Sequence, residues 1–173
     1  MIIREIQALK TNIFVIFVNK KVMALEIERK FLVVDDSYRK LASEVHTIRQ
    51  AYLSVNPDAT VRLRIFDKSA FITVKSRNDG VVRREWEYEI PQSDALEMFE
   101  SCGVSSVIEK RRYVIDAGNG LKWEVDEFGG RNAGLTIAEI ELPSEDCPFP
   151  LAPFIGEEVT GDPAYYNSSI AAK

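Results

Sequence analysis

The chain is expected to fold as an α+β domain: an eight-stranded antiparallel β-barrel enclosing a polar, charged tunnel, with a few helices packed outside. Three observations lead there. Eight strand-like runs follow one another with turn signals between them, several close enough for antiparallel hairpins. Seven of these runs carry charges on one face and bulky apolar groups on the other. Only about three helical segments are available to cover an apolar exterior. Eight antiparallel strands close readily into a barrel, which leaves no exposed edge.

The first run spans 25–34. It puts Glu26, Glu28 and Lys30 on one face and Ile27, Arg29 and Phe31 on the other. A helix near 37–44 follows Asp35-Asp36. Strands are expected at 47–55, 60–67, 70–76 and 81–90, with turns at Asn56-Pro57-Asp58, Asp67-Lys68 and Asn78-Asp79-Gly80. A second helix near 94–102 has Ser93 as N-cap, Asp94 in its first turn and Gly103 as its stop. Strands at 107–116, 120–127 and 136–142 complete the set, with turns at Gly118-Asn119-Gly120 and Gly129-Gly130-Arg131-Asn132. Pro143 to Pro153 reads as a proline-rich loop. Asp162-Pro163 then opens a short C-terminal helix, with Pro at its first position.

The faces carry the functional reading. Arg62 and Arg64 share a face, and Lys75 occupies the next strand. Glu85, Glu87 and Glu89 lie opposite Trp86, Tyr88 and Ile90. Lys110 and Arg112 share a face, as do Glu124 and Asp126, opposite Trp123 and Val125. Glu139 and Glu141 lie opposite Ile140 and Leu142. A solvated outer face explains one such strand but not seven in a small domain, so the charges are expected to line the lumen. Like charges two residues apart repel unless a counter-ion sits between them. Cation rows accept a polyanion and carboxylate rows accept a divalent metal, so a Mg²⁺-polyphosphate satisfies both. A lipid or sterol would require an apolar lumen.

The gross numbers exclude other classes. A length of 173 residues suits one domain with a real core. The net charge of -5 argues against a general nucleic-acid surface. Cys102 and Cys147 form no CxxC, so structural zinc is not expected, and reduced thiols suit a cytoplasmic protein. His46 is the single histidine, which removes a His-based triad or metal cage. The apolar run 13–18 is too short to span a membrane and has no small-residue cleavage site after it. Residues 1–22 are therefore read as an N-terminal extension before a single domain, 23–173. Met23 is the expected natural start, and an extra edge strand is the competing reading. The oligomeric state stays open, a homodimer included.

Taken together, EIERKFLV (26–33), QAYLS (50–54), RLRI (62–65), TVKS (73–76), REWEYEIP (84–91), EKRRYVI (109–115), WEVDEF (123–128), AEIELP (138–143) and EVTGDPAYYN (158–167) resemble the CYTH domain, or triphosphate tunnel metalloenzyme superfamily, in its short bacterial form. The resemblance covers about 23–170. One departure is the alanine of QAYL, where glycine is common.

The resemblance implies an eight-stranded tunnel that binds triphosphates with a divalent metal, Mg²⁺ or Mn²⁺. It implies metal-ligating or water-orienting carboxylates at Glu26, Glu28, Asp126, Glu139 and Glu141. It implies phosphate binding by Lys30, Arg62, Arg64, Lys75, Lys110 and Arg112, which together with Glu28 form the catalytic set. Glu85, Glu87 and Glu124 match the acidic tunnel wall. Tyr52 is a candidate for a single hydroxyl contact to substrate, or for packing. The expected activity is hydrolysis of a triphosphate, inorganic triphosphate foremost. A class IV-type adenylyl cyclase, a thiamine triphosphatase and a non-catalytic polyphosphate-binding module are the alternatives. Cyclisation would need a base and sugar pocket, for which no motif stands out.

Overall fold

The computed structural model describes residues 24–77, 82–102 and 104–172. The expectations for 1–22, Met23, the Asn78-Asp79-Gly80 turn and the Gly103 helix stop lie outside the described residues. Among the described residues there are nine strands: β1 (Ala24–Val33), β2 (Glu44–Asn56), β3 (Ala59–Phe66), β4 (Ser69–Ser76), β5 (Val82–Ile90), β6 (Ile108–Gly118), β7 (Leu121–Phe128), β8 (Thr136–Glu141) and β9 (Ile155–Glu158). The order is β5-β4-β3-β2-β6-β7-β8-β1, and β1 pairs back onto β5, closing an eight-stranded antiparallel barrel. Closure runs from Ala24↔Glu85 to Ile27↔Val82.

The ninth strand was not expected. Ile155–Glu158 is short and follows the proline-rich loop, so its sequence carries no alternation to read. The edge of β1 explains it. β5 covers that edge only over 24–27, and β9 takes it up at Phe31 and Val33. The approach is close: a Cβ on Gly156 would lie 2.7 Å from Val34 Cγ1 and 3.1 Å from the Leu32 carbonyl oxygen. Only glycine fits there without a shift of β1.

Three helices are present: α1 (Tyr38–Leu41), α2 (Gln92–Ser101) and α3 (Asn167–Ala172). The expected Ser93 cap is a correction. The helix starts two residues earlier, where the extended Pro91 offers its carbonyl to the Asp94 and Ala95 N–H groups. Ser93 Oγ instead donates to Asp94 at 3.2 Å. The expected C-terminal helix is two pieces: a 3-10 turn, Pro163–Tyr165, capped by Asp162, and then α3, with extended Tyr166 between them.

The outward faces form the core. Ile27, Phe31, Tyr113, Trp123, Val125 and Ile140 come from β1, β6, β7 and β8. The loop after β8 supplies much of their cover through Leu142, Phe149 and Phe154, with Tyr38 of α1 beside them. The rings meet edge to face: Phe31–Trp123 at 5.5 Å, Trp123–Phe149 at 5.7 Å and Tyr38–Phe154 at 5.9 Å. Such pairs add about 0.5–1.5 kcal/mol each beyond area burial. On the far side, α2 lays Ala95 and Phe99 over Ile65 and Ala70.

A third cluster lies inside the barrel. Ile108, Phe128 and Ile137 share the inward faces of Lys110, Asp126 and Glu139. With Tyr52 they form an apolar end to the tunnel, and Ile170 and Ala171 of α3 pack onto it. Ile170→Ala is expected to cost about 2–5 kcal/mol, as for other buried Ile truncations, read from urea denaturation. An unchanged midpoint would show that α3 does not pack onto this end.

Candidate active site

Strand alternation delivers the inward charges to one cavity of about 380 Å³. β1 contributes Glu26, Glu28 and Lys30; β3 contributes Arg62 and Arg64; β4 contributes Lys75. Glu85 and Glu87 come from β5, Lys110 and Arg112 from β6, Glu124 from β7, and Glu139 and Glu141 from β8. Tyr52 of β2 lines the cavity near its apolar end. Asp126 lies beneath the lining, 1% exposed. Glu89 of the same β5 face is exposed and outside the cavity.

Sequence reading missed several lining residues. Arg83 is one, although its place two residues before Glu85 puts it on the same face. Thr160, Gly161, Tyr166, Asn167 and Ser168 also line the cavity. They arrive from the C-terminal segment, whose course no alternation pattern reveals.

The charges pair across strands. Glu87 accepts from Arg64 Nη2 at 2.7 Å, from Thr73 Oγ1 at 2.8 Å and from Arg62 Nη2 at 3.3 Å. The Nε atoms of Arg62 and Arg64 are buried without a hydrogen-bond partner. Lys75 Nζ lies 2.9 Å from Glu26 and 2.7 Å from Glu85, and Arg83 Nε donates to Glu26 at 2.7 Å. Lys30 bridges Glu28 and Glu139. Arg112 grips Asp126 with two bonds of 2.7 Å, reaches Glu139 at 3.1 Å and pairs with Glu124. Lys110 pairs with the same Asp126.

This pairing is uneven, and the acid–base properties show it. Burial opposes the charge on Glu26, but Lys75 and Arg83 outweigh it and hold the carboxyl at about 2. Burial likewise opposes the charge on Glu139, but Lys30 and Arg112 bring it well below the usual carboxylate range. Elsewhere the charged form is disfavoured. Burial and the neighbouring Arg62 bring Arg64 down to about 10. Burial, with Arg112 adding to it, lowers Lys110 despite Asp126. Burial and Glu139 raise Glu28, and burial with Glu26, Glu124, Glu85 and Glu28 raises Glu141. Burial is the leading cause in each of these four, and like-charged neighbours reinforce it.

This lining fits an anion and a metal together. Among the described lining residues, seven cations face seven carboxylates, with Asp126 below. A polyanion entering so balanced a space needs cations to accompany it. The guanidinium groups of Arg62 and Arg64, which line the cavity, suit phosphate oxygens. Among the described residues no three acidic, His or Cys side chains close on a single point. Glu26 and Glu139 are drawn to Lys and Arg, Glu28 is paired with Lys30 but also faces Glu139 and Glu26, and Glu141 has carboxylates as its charged neighbours. The donor set, all carboxylate oxygens, suits a hard divalent cation.

The chain belongs to the CYTH domain family, whose model matches residues 24–161. It is 48% identical over 148 residues to an inorganic triphosphatase of Acetivibrio thermocellus, covering 86% of this chain and 94% of that protein. It is 36% identical over 151 residues to an inorganic triphosphatase of Nitrosomonas europaea, covering 84% and 96%. A solved structure of an inorganic triphosphatase superposes with a TM-score of 0.61 at 32% identity, over 87% of this chain and 97% of that one. A Bacillus halodurans structure described as an adenylate cyclase shares the fold at 17% identity, with a TM-score of 0.57 over 70% and 82% of the two chains.

Two carboxylates predict opposite pH responses. The depressed Glu26 contributes stability above its unfolded value near 4.5, and this is lost as pH falls towards about 2. Glu141, with a raised value, penalises the folded state once deprotonated. Glu141 keeps contact with solvent, which screens this penalty. Glu141→Gln is therefore expected to raise the melting temperature in chelator only slightly, by about a degree or less, at neutral pH. At about pH 4 and below the difference should shrink, since the wild-type carboxyl is then largely protonated. Equal melting curves at neutral pH would show that Glu141 carries no electrostatic strain.

Proposed function

We propose that this chain is a divalent-metal-dependent hydrolase that converts inorganic triphosphate to pyrophosphate and phosphate. The observation that carries this reading is the closed barrel whose cavity, among the described residues, is lined by seven cations and seven carboxylates. The two inorganic triphosphatases at 48% and 36% identity support it. CYTH triphosphatases are in general metal-dependent, and Mg²⁺ or Mn²⁺ suits the carboxylate donors here. Among the described residues the lining offers few flat apolar surfaces on which a nucleobase or a thiazolium ring could stack. Among the described lining residues the aromatic rings are Tyr52 and Tyr166, and Tyr52 packs with Ile108 and Phe128 at the apolar end. This favours a bare phosphate chain over a nucleotide or thiamine ester. No helix among the described residues is long and apolar enough to cross a membrane. The free cysteines suit a cytoplasmic enzyme.

Phosphoryl transfer depends on positioning and charge neutralisation more than on covalent help. In the proposed mechanism Arg62 and Arg64 hold non-bridging oxygens with their forked N–H groups, and Lys30, Lys75, Lys110 and Arg112 act as further phosphate contacts. Arg83, the cation missed in the sequence, joins them. Glu87 orients Arg62 and Arg64, Glu85 orients Lys75, and Glu124 orients Arg112. Asp126 is engaged by Lys110 and Arg112, so we assign it to orienting those cations. Glu26, Glu28, Glu139 and Glu141 would hold the metal, which supplies Lewis-acid neutralisation of phosphate oxygens. Glu28, with its carboxyl raised by burial and Glu139, is suited to take a proton from the attacking water.

Phosphate release from inorganic triphosphate is the direct test, run beside ATP, thiamine triphosphate and cyclic-nucleotide detection. Turnover is expected with Mg²⁺ or Mn²⁺ and not in excess chelator; full turnover in chelator would overturn the metal requirement. Glu28→Gln is expected to lose about 100-fold or more in kcat, in the range of a missing general base, with its circular dichroism intact.

Alanine at Arg62, Arg64, Lys75, Lys110 or Arg112 is expected to cost about 2–4 kcal/mol in kcat/KM each, by analogy with other lost charge-stabilising contacts. Some should act mainly on KM and those beside the scissile phosphoryl mainly on kcat. Near-normal kcat/KM throughout this set would remove the phosphate-binding assignment.

A further inference from the structure

The segment after β9 holds both backbone polar groups of Lys30. The Val159 N–H donates to the Lys30 carbonyl at 2.9 Å, and the Lys30 N–H donates to Thr160 Oγ1 at 3.0 Å. The Thr160 hydroxyl has one proton to give. Glu158 Oε1, at 2.6 Å, takes it in preference to the Lys30 carbonyl at 3.5 Å. Its lone pair therefore faces Lys30. Arg29 fixes Glu158 in turn, through Nε to Oε1 at 2.7 Å and through Nη2 to the other oxygen. The Arg29 guanidinium also lies 5.2 Å from the Phe149 ring, on the outer side of the barrel.

This arrangement sits where the β-ladder is irregular. The β1–β9 register shifts between Phe31 and Val33, so regular ladder bonds do not define β1 on that edge. A threonine side chain stands in as acceptor for Lys30. The Lys30 ammonium then reaches inward to Glu28 and Glu139 on a flexible stem. Where that stem starts decides where the charge ends. Beyond Thr160 the chain turns at Gly161, with φ of 78°, and passes along the cavity to Asn167, whose Oδ1 lies 3.5 Å from Lys110 Nζ. The segment thus joins two phosphate-facing lysines on separate strands.

We propose that Thr160, oriented by the Arg29–Glu158 pair, is a positioning residue that sets the reach of Lys30 into the tunnel. The proposal rests on the triphosphatase reading above. The Arg29 and Glu158 side chains are 36% and 34% exposed, and ion pairs so exposed add little to stability. Their consequence is expected in catalysis rather than in melting temperature.

Thr160→Val keeps the shape and removes both hydrogen bonds, while Thr160→Ser keeps both. Steady-state kinetics on inorganic triphosphate with Mg²⁺, at a temperature well below melting, would be run with calorimetric titration of triphosphate. Thr160→Val is expected to lower kcat/KM by about tenfold or more, as displaced catalytic groups do. It should also lower the melting temperature modestly because the Lys30 N–H loses its acceptor, with the assay kept well below both midpoints. Thr160→Ser should restore most of the loss. A Thr160→Val enzyme equal to wild type overturns the proposal, as does a Ser variant as poor as Val, or a loss that simply tracks unfolding. If wild type binds triphosphate but does not hydrolyse it, the triphosphatase reading fails alone. The titration then decides, with a weaker Kd for Thr160→Val expected and an equal Kd overturning the positioning role. Wild type that neither binds nor hydrolyses triphosphate overturns both.

Discussion

Pairing of β1 with β5 is the contact on which the rest of the structure depends. It converts an antiparallel sheet into a closed wall and, among the described residues, brings seven cations and seven carboxylates around a cavity of about 380 Å³. Removing an ion from water costs several kcal/mol even after relaxation, so charges gathered this way must find partners. They do so across strands: Lys75 meets Glu26 and Glu85, Lys30 meets Glu28 and Glu139, and Arg112 meets Asp126. With the inside given to charge, the hydrophobic core moves outside. That is why the loop after β8, α1 and α2 lie where they do: each covers an outward apolar face.

The pairing is deliberately incomplete in its effect. A tunnel in which every charge met an ideal partner would be stable and inert. Here the Arg62 and Arg64 Nε groups are buried without a hydrogen-bond partner, Glu28 faces Glu139 and Glu26 as well as Lys30, and Glu141 faces other carboxylates. Groups held in this way lower the stability of the free protein, the usual relation between a functional site and fold stability. Asp126 is the counter-example. Held by Lys110 and Arg112 and almost fully buried, it anchors the cation wall while other carboxylates face the cavity.

Much of this was legible in the chain because strand alternation is local. Period two assigns a face to each residue from its neighbours alone, so Glu26, Lys30, Arg62, Lys110 and Glu139 could be placed on inward faces before any contact was known. Arg83 was equally legible by the same rule and was overlooked. Ser93 was misread as a cap because a propensity favoured it, whereas the chain leaving β5 at Pro91 already presented a carbonyl for the helix to start on. Glu89 carried the right parity but lies outside the cavity, since parity fixes a face and not a depth.

The sequence by itself determined the eight barrel strands, their polar and apolar faces, and the charge types on the inner wall, because these follow from residue order over short distances. Only the tertiary structure decided which charges pair, that β9 completes the edge of β1, and that Thr160 supports Lys30 from 130 residues away. It also decided that α3 packs Ile170 and Ala171 against Ile108, Phe128 and Ile137. Each of these joins residues distant in the chain, and each depends on barrel closure and register, which are settled by the whole sheet rather than by any one strand.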